Sequence, residues 1–217
     1  MDFRNAKELL KVCQEQNLSI SAVMLQRELT EGEQDPEETD RKMDRVLEIM
    51  KSAASTPIHT PVKSMGGLIG GEAKKISDHK DAGKSLCGDL LERAVIYAMA
   101  TLETNASMGV IVASPTAGSA GIVPGLLLAL QETYDLSDEQ IKQGLYNASA
   151  IGYLAMRNAT VAGAVGGCQA EVGIASAMAA SATVELMGGS PEQSLAAAST
   201  VLMNMLGLVC DPVGGLV

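Results

Sequence analysis

The sequence has very few aromatic residues: it lacks tryptophan, and all aromatic residues together make up only 2% of the 217 positions. Hydrophobic residues still make up 47% of the chain, so its core has to be built from aliphatic side chains and methionine. Small side chains with 22 glycines suit close helix packing better than a β-sandwich. We therefore predict a domain of closely packed helices.

The sequence also lacks an excess of positive charge and any long apolar run. Its net charge of −10 argues against binding to nucleic acids or anionic membranes, which needs basic patches. No stretch reaches the ~18 uninterrupted apolar residues of a membrane span. The N-terminus is polar and does not resemble a signal peptide. Four widely spaced cysteines do not indicate a disulfide scaffold. We expect a cytoplasmic protein whose cysteines are buried or bind metal.

Helical spacing of apolar residues predicts that residues 1–60 form an N-terminal helical layer. Asp35-Pro36 is a typical cap and first residue of an amphipathic helix. We expect this helix to end before Thr56-Pro57, because a proline and the residue before it disfavour a helix. His59 and the charged residues 78–81 are then expected in loops. The remainder, residues 61–217, is predicted to be the catalytic part and to form one continuous unit with this layer.

A loop of hydroxyl groups and glycines at residues 114–121 opens an apolar helix. Free N–H groups at a helix N-terminus, aided by the helix dipole and by hydroxyl donors, favour an anion. A small carboxylate fits better than a polyphosphate, because the loop has no lysine or arginine. The alternative is a plain glycine/serine connection. The candidate substrate-binding residues are Ser114, Thr116, Ala117, Gly118, Ser119 and Gly121.

Residues 168–210 predict a central antiparallel hairpin of two helices. Gly188-Gly189 is a helix stop signal, and Ser190-Pro191 is a helix start signal. Because the two arms have equal lengths, Cys168 and Cys210 should lie at the same end of the hairpin. Two such thiolates suit zinc or an iron–sulfur cluster, although either needs further ligands. The alternative is that both cysteines are simply buried.

Cys168 is expected directly before a helix N-terminus, where the helix dipole favours the thiolate form that binds metal. Glu171 lies three residues further along the same helical face. We interpret its carboxylate as a cap of the first turn, with a role as a base or as a group supporting the site as the alternatives.

Three segments carry a joint pattern: SPTAGSAGIVPG at 114–125, GCQAEVG at 167–173 and GLVCDPVG at 207–214. The glycine-rich residues 63–75 and the NASMG at 105–109 fit the same pattern. Together they resemble the α chain of the iron–sulfur-dependent L-serine dehydratases (L-serine ammonia-lyases). The resemblance covers most of the chain and implies an all-α fold, a compact multi-helix domain with glycine-rich active-site loops.

This resemblance implies a [4Fe-4S] cluster held by three cysteines, two of which match Cys168 and Cys210. The third family ligand would lie beyond Val217. We therefore expect a truncated α chain that binds a cluster poorly and has little activity as it stands. The family's usual cysteine in the hydroxyl loop is replaced by Ala120, a position that is not one of the three ligands.

The implied reaction converts L-serine to pyruvate and ammonia. The cluster acts as a Lewis acid on the β-hydroxyl, a base removes the α-proton, and the loop at 114–121 holds the substrate carboxylate. The family's Ser-His motif, which belongs to its β chain or β domain, is absent from this sequence. We therefore expect a separate β chain as partner and assign no catalytic base here. Formation of a homo-oligomer stays open.

Three other functions fit parts of the sequence. One is a related cluster-dependent lyase that desulfurates L-cysteine. Another is a non-catalytic helical fragment that only binds a partner or a small carboxylate. The third is a pyridoxal phosphate dehydratase, which is disfavoured because no lysine has a recognisable Schiff-base context.

Overall fold

The computed structural model describes residues 2–32 and 35–207 of the chain. Within these ranges there are nine α-helices and no β-strand, which confirms the prediction of an all-α fold. None of the described helices is long and apolar enough to span a membrane. The helices are α1 Ala6–Gln16, α2 Ile20–Glu31, α3 Pro36–His59, α4 Glu72–Asp81, α5 Asp89–Ala106, α6 Ile122–Tyr134, α7 Asp138–Asn158, α8 Gly163–Leu186 and α9 Pro191–Met205.

Backbone contacts divide the chain into two units. The first comprises Met1–Met43 and Glu139–Val217, and the second comprises Asp44–Asp138. The sequence predicts a division at residue 60 between a helical layer and a catalytic part. That division stays a prediction, because the contact pattern does not report on which residues take part in catalysis.

The first unit has a core in which aliphatic side chains dominate. Cys13 belongs to it with only 2% exposure, and burial raises the pKa of its thiol to about 11. It is therefore a core residue. Glu185 of α8 accepts hydrogen bonds from the Ile20 N–H (3.0 Å) and the Asn147 Nδ2 (2.7 Å), which anchors the start of α2. The buried core residues are Phe3, Leu9, Cys13, Ile20, Val23, Met24, Tyr146 and Ala150.

The antiparallel pair α8 and α9 confirms the predicted helical hairpin. The Ser190 hydroxyl accepts from the Gln193 N–H (3.3 Å), and the Gln193 side chain accepts from the Ser190 N–H (2.8 Å), which completes a capping box. Gly188 has a φ of +84°, the left-handed conformation that commonly ends a helix. A Cβ added to Gly173 would lie 3.4 Å from Met205 Cβ, so the two helices approach closely.

Two glycines one turn apart bring α6 against α5 in the second unit. A Cβ added at Gly121 would lie 2.5 Å from the Ala98 carbonyl oxygen, and one at Gly125 would lie 2.8 Å from the Ala94 carbonyl oxygen. No larger residue fits at either position without moving the backbone. This close packing fixes the loop that precedes α6 relative to α5.

Pro57 lies inside α3, so the expectation that this helix ends before it is wrong. A proline supplies no N–H to the carbonyl four residues earlier, here that of Ala53. The Thr104 hydroxyl of α5 donates to the Ala53 carbonyl instead, at 2.9 Å. The helix therefore continues to His59, which is its last residue and not part of a loop.

Residues 78–81 form the end of α4, and the expectation of a loop there is also wrong. The N-terminus of this short polar helix is capped from another helix. The buried Glu103 carboxylate of α5 accepts hydrogen bonds from the N–H groups of Gly71 (3.2 Å) and Ala73 (2.8 Å). This cap comes from a different helix, and it stabilises a helix whose own sequence contains few helix signals.

Candidate active site

The hydroxyl loop at residues 114–121 is largely buried and holds its own shape. Ser114 is 6% exposed and Ser119 is 1% exposed. The Ser119 hydroxyl donates to the Ser114 carbonyl at 3.3 Å and lies 3.1 Å from the Thr116 hydroxyl. Asn105 of α5 donates its side-chain Nδ2 to the Ala117 carbonyl at 3.2 Å. The loop is thus fixed by several bonds that need no ligand.

Several donors in this loop are left without a protein acceptor. The backbone N–H groups of residues 117–119 donate to no group in the described chain, and Ala117 and Gly118 are exposed. The Ser114 Oγ is buried and has no hydrogen-bond partner within the same residues. A buried unpaired hydroxyl costs free energy, so a ligand oxygen placed here would be bound favourably. These features suit the predicted carboxylate, whose binding stays a prediction.

The glycine-rich segment before α4 is a tight, closed loop. The Ser64 N–H donates to the Ile69 carbonyl at 2.8 Å, and the Met65 N–H donates to the Ala106 carbonyl at 3.4 Å. Gly70 has a φ of +147°, and a Cβ there would lie 2.1 Å from the Val62 carbonyl oxygen. Only glycine fits at this position. The segment is therefore held beside the end of α5, which also carries Asn105.

Glu103 is a residue that sequence reasoning missed. It is only 1% exposed, yet its carboxylate anchors the start of α4. The signal was present in the sequence: Ile96, Ala100 and Glu103 share one face of α5, and all three are buried. An acidic residue on an apolar helix face usually has a buried partner.

Cys168 lies where a helix restarts. Gly167 has non-helical angles, φ 72° and ψ 174°, that interrupt α8. Residues 168–186 therefore form a helix of their own, with half-buried Cys168 as the first residue, close to the sequence prediction. One turn on, the Glu171 carboxylate folds back over the preceding turn, since a Cβ added at Gly163 would lie 2.7 Å from its Oε2.

The open end of the hairpin is closed by a bond between its two arms. The Gln169 side-chain oxygen of α8 accepts from the Gly207 N–H, which follows α9, at 3.0 Å. α9 ends at Met205, earlier than expected. Cys210 lies outside the described residues, so its predicted proximity to Cys168 stays a prediction.

The described residues do not by themselves form a metal site. Among residues 2–32 and 35–207, no group of three or more histidine, cysteine, aspartate or glutamate side chains is arranged to hold a metal. Cys87 is exposed. Cys168 remains as a thiol at a helix start, the kind of donor that an iron–sulfur cluster uses, and it fits the predicted ligand set as one of its members.

The predicted site residues fall into different units. The hydroxyl loop, Asn105 and the glycine-rich segment belong to the second unit, whereas Cys168 and Gln169 belong to the first. Within the second unit, the structure brings the loop together with the end of α5. The expectation that the loop and the cysteines form one site stays a prediction.

The sequence of the chain is similar to a known family and to several known proteins. A family described as "Serine dehydratase alpha chain" matches residues 15–217. A "Probable L-serine dehydratase, alpha chain" of Bacillus subtilis is 49% identical over 215 residues, which cover 99% of this chain and 71% of the relative. The "L-serine dehydratase, alpha chain" of Peptoniphilus asaccharolyticus is 44% identical over 215 residues, with 99% and 74% coverage.

Longer relatives carry a name without a chain designation. An "L-serine dehydratase" of Streptomyces coelicolor is 38% identical over 221 residues, which span 99% of this chain but only 47% of the relative. The similarity therefore extends over nearly all of this chain, while about half of such a longer relative has no counterpart in it.

Proposed function

This chain belongs to the serine dehydratase alpha chain family, and we propose that it is the catalytic chain of an L-serine dehydratase. Such an enzyme is a lyase that converts L-serine to pyruvate and ammonia. The observation that carries this proposal is the preformed loop at 114–121, whose Ser114 hydroxyl and N–H groups of residues 117–119 have no partner among the described residues. An amino-acid carboxylate is a small anion that matches these donors.

In this proposal the loop binds and orients the substrate. The N–H groups of residues 117–119 and the Ser114 hydroxyl hold the carboxylate, and the Ser119 hydroxyl maintains the loop shape through its bond to the Ser114 carbonyl. Fixing the carboxylate restricts rotation of the substrate about its Cα, which directs the α-proton and the β-hydroxyl to fixed positions. Buried Ala120 places no reactive group in the loop.

We propose that Cys168 and Cys210 provide two of the cysteine ligands of a [4Fe-4S] cluster. When bound, such a cluster supplies a Lewis acid for the β-hydroxyl of serine. Cys168 supports this assignment through its position at a helix start. Gln169 ties the α9 end to the same place by accepting from the Gly207 N–H. Thiolate ligands of this kind persist in a reducing compartment, so we place the enzyme in the cytoplasm.

The proposed partner is a β chain, which supplies the base that removes the α-proton. Relatives named as alpha chains, together with longer relatives such as the one from Streptomyces coelicolor, support a second component. No residue of this chain is assigned as the base. The role left to this chain is to bind the substrate carboxylate and to hold the cluster.

The test is an anaerobic reconstitution of the chain, extended past Val217 to include the expected third cysteine ligand, with a β chain, iron and sulfide, followed by measurement of pyruvate. We expect pyruvate and ammonia in equal amounts from L-serine. Pyruvate and sulfide from L-cysteine, with no pyruvate from L-serine, would instead favour the desulfidase-like alternative. Iron uptake without turnover of either amino acid would favour a non-catalytic binding role.

A further inference from the structure

The second unit contains a cleft that none of the predicted site residues lines. Its volume is about 390 Å³, and it is formed by the ends of α3 and α4 and by side chains of α5 and α6. Its polar lining includes Lys80, Asp81, Arg93, Tyr97 and Glu132. A cleft of this size with several convergent polar groups is typical of a small-molecule site.

The polar groups of this cleft are ordered by one continuous chain of bonds. Asp89, at the edge of the cleft, joins the Lys80 Nζ at 2.8 Å and the Arg93 Nε at 2.7 Å. The Arg93 Nη1 is paired with the Glu132 carboxylate, which also accepts from the Tyr97 hydroxyl. Burial, together with the bond to Glu132, raises the pKa of Tyr97, so its hydroxyl keeps its proton. The side chains are therefore held in place before any ligand arrives.

The network has both signs of charge and no net charge. Two cations, Lys80 and Arg93, balance two carboxylates, Asp89 and Glu132. Both cations have more N–H donors than these bonds use. The Asp81 carboxylate and the C-terminal ends of α3 and α4 add negative potential at another part of the lining. This distribution disfavours a polyphosphate and a bare metal ion, and favours a ligand with one charge of each sign.

We propose that this cleft binds a free L-α-amino acid. Lys80 and Arg93 face the carboxylate of the ligand, and Glu132 and Asp81 face its ammonium group. Ile58 and Ile96 of the lining provide apolar contact for its side chain. This site is separate from the proposed substrate loop, and its existence does not depend on the cluster or on turnover.

The proposal is tested by nuclear magnetic resonance on the chain with labelled isoleucine methyl groups. L-Alanine is titrated beside L-lactate, which lacks the ammonium group, and L-alaninamide, which lacks the carboxylate. We expect saturable shifts of Ile58 and Ile96 with L-alanine, and binding weaker by roughly tenfold or more with either analogue, because each loses charge-assisted hydrogen bonds. Ile122 reports on the substrate loop, and Ile20 reports on the core of the first unit.

Two variants then locate the site. Lys80→Met should weaken L-alanine binding at Ile58 and Ile96 by roughly tenfold, a change of about 1.4 kcal/mol. The matched control Lys84→Met, at an exposed lysine outside the cleft, should leave binding unchanged. Glu132→Gln keeps the side-chain shape and should weaken binding in the same way, which decides the matter if Lys80→Met does not fold. Any of three results would overturn the proposal. These are shifts confined to Ile122, binding of L-lactate as tight as that of L-alanine, and unchanged L-alanine binding in Glu132→Gln.

Discussion

The hydroxyl loop at 114–121 and the open end of the α8–α9 hairpin are built in different ways. The loop is largely buried, is fixed by its own hydroxyl groups and rests on two glycines packed against α5. At the hairpin end, Cys168 is half-buried, and an exposed bond between Gln169 and Gly207 ties the arms together. A carboxylate site gains from donors that are fixed in advance, whereas a metal site can obtain its rigidity from the bound metal.

The largest effect, on iron content and on activity, is expected at the open end of the α8–α9 hairpin. Cys168→Ser removes a proposed thiolate ligand, and a serine hydroxyl does not replace it, because it stays protonated at neutral pH. After the same anaerobic reconstitution of the chain extended past Val217, we expect iron and acid-labile sulfide to fall to background and pyruvate formation to be lost. The free energy of unfolding of the cluster-free chain should change little, since the side chain is half-buried.

Cys87→Ser is the matched control for this prediction. Cys87 is exposed, and the resemblance gives it no role as a ligand. We expect wild-type iron content and activity from this variant. Full iron content in Cys168→Ser, or equal losses in both variants, would remove the proposed distinction between the two cysteines.

The second largest effect, on stability, is expected at the glycines that pack α6 and the hydroxyl loop against α5. Gly125→Ala places a Cβ 2.8 Å from the Ala94 carbonyl oxygen and 3.0 Å from Ala98, where only backbone movement can make room. We expect the free energy of unfolding, measured in urea, to fall by about 1–3 kcal/mol. The control is Gly66→Ala, at a position where an added Cβ has nothing within 4 Å. A Gly125→Ala chain as stable as the control would show that α5 and α6 are less closely packed than described.

The sequence predicted those parts of the fold whose stabilising groups are neighbours in the chain. The capping box of Ser190 and Gln193 and the hairpin that it begins follow from such local signals. The Asp35 cap of α3 is of the same kind, since its side chain accepts from the Glu38 N–H at 3.0 Å. The misread parts depend on distant partners. Pro57 stays in α3 because the Thr104 hydroxyl donates a hydrogen bond to the Ala53 carbonyl. No local sequence pattern predicts that bond.

The candidate site follows the same rule. The loop at 114–121 could be predicted because its donors and its helix N-terminus are contiguous in sequence. The burial of Glu103 could be suspected from its place on an apolar helix face, but its partner could not be predicted, because that partner lies about thirty residues earlier in the chain. The role of Gln169 could not be predicted either, because its bond to Gly207 forms only when the hairpin is folded. Sequence reasoning thus finds groups that act locally and misses those that join separate elements.

A smaller effect on stability is expected from loss of the hydrogen bond between Gln169 and Gly207, which closes the hairpin. Gln169→Leu removes the acceptor of the Gly207 N–H, and we expect faster hydrogen exchange of that amide and a loss of about 0.5–1.5 kcal/mol in stability. Gln169→Glu keeps an acceptor and should restore slow exchange. If Gly207 exchanges equally in all three chains, the bond does not hold the hairpin end, and the rate of iron uptake should then be unaffected by either change.

The smallest effect on stability, and the sharpest test of the loop, is expected from Ser114→Ala. Ser114 Oγ has no partner within the described residues, so its removal relieves an unpaired buried group, and stability should stay the same or rise. Ser181→Ala is the matched control, because Ser181 of α8 is fully buried and its Oγ is likewise unpaired in the described chain. Both variants should be at least as stable as the wild type.

Only Ser114→Ala should raise the KM for L-serine, by about tenfold, as expected for one lost hydrogen bond to a carboxylate. An equal KM in the two variants would mean that the unpaired hydroxyl at 114 is a packing feature, and the proposed carboxylate contact would then rest on the N–H groups of residues 117–119 alone.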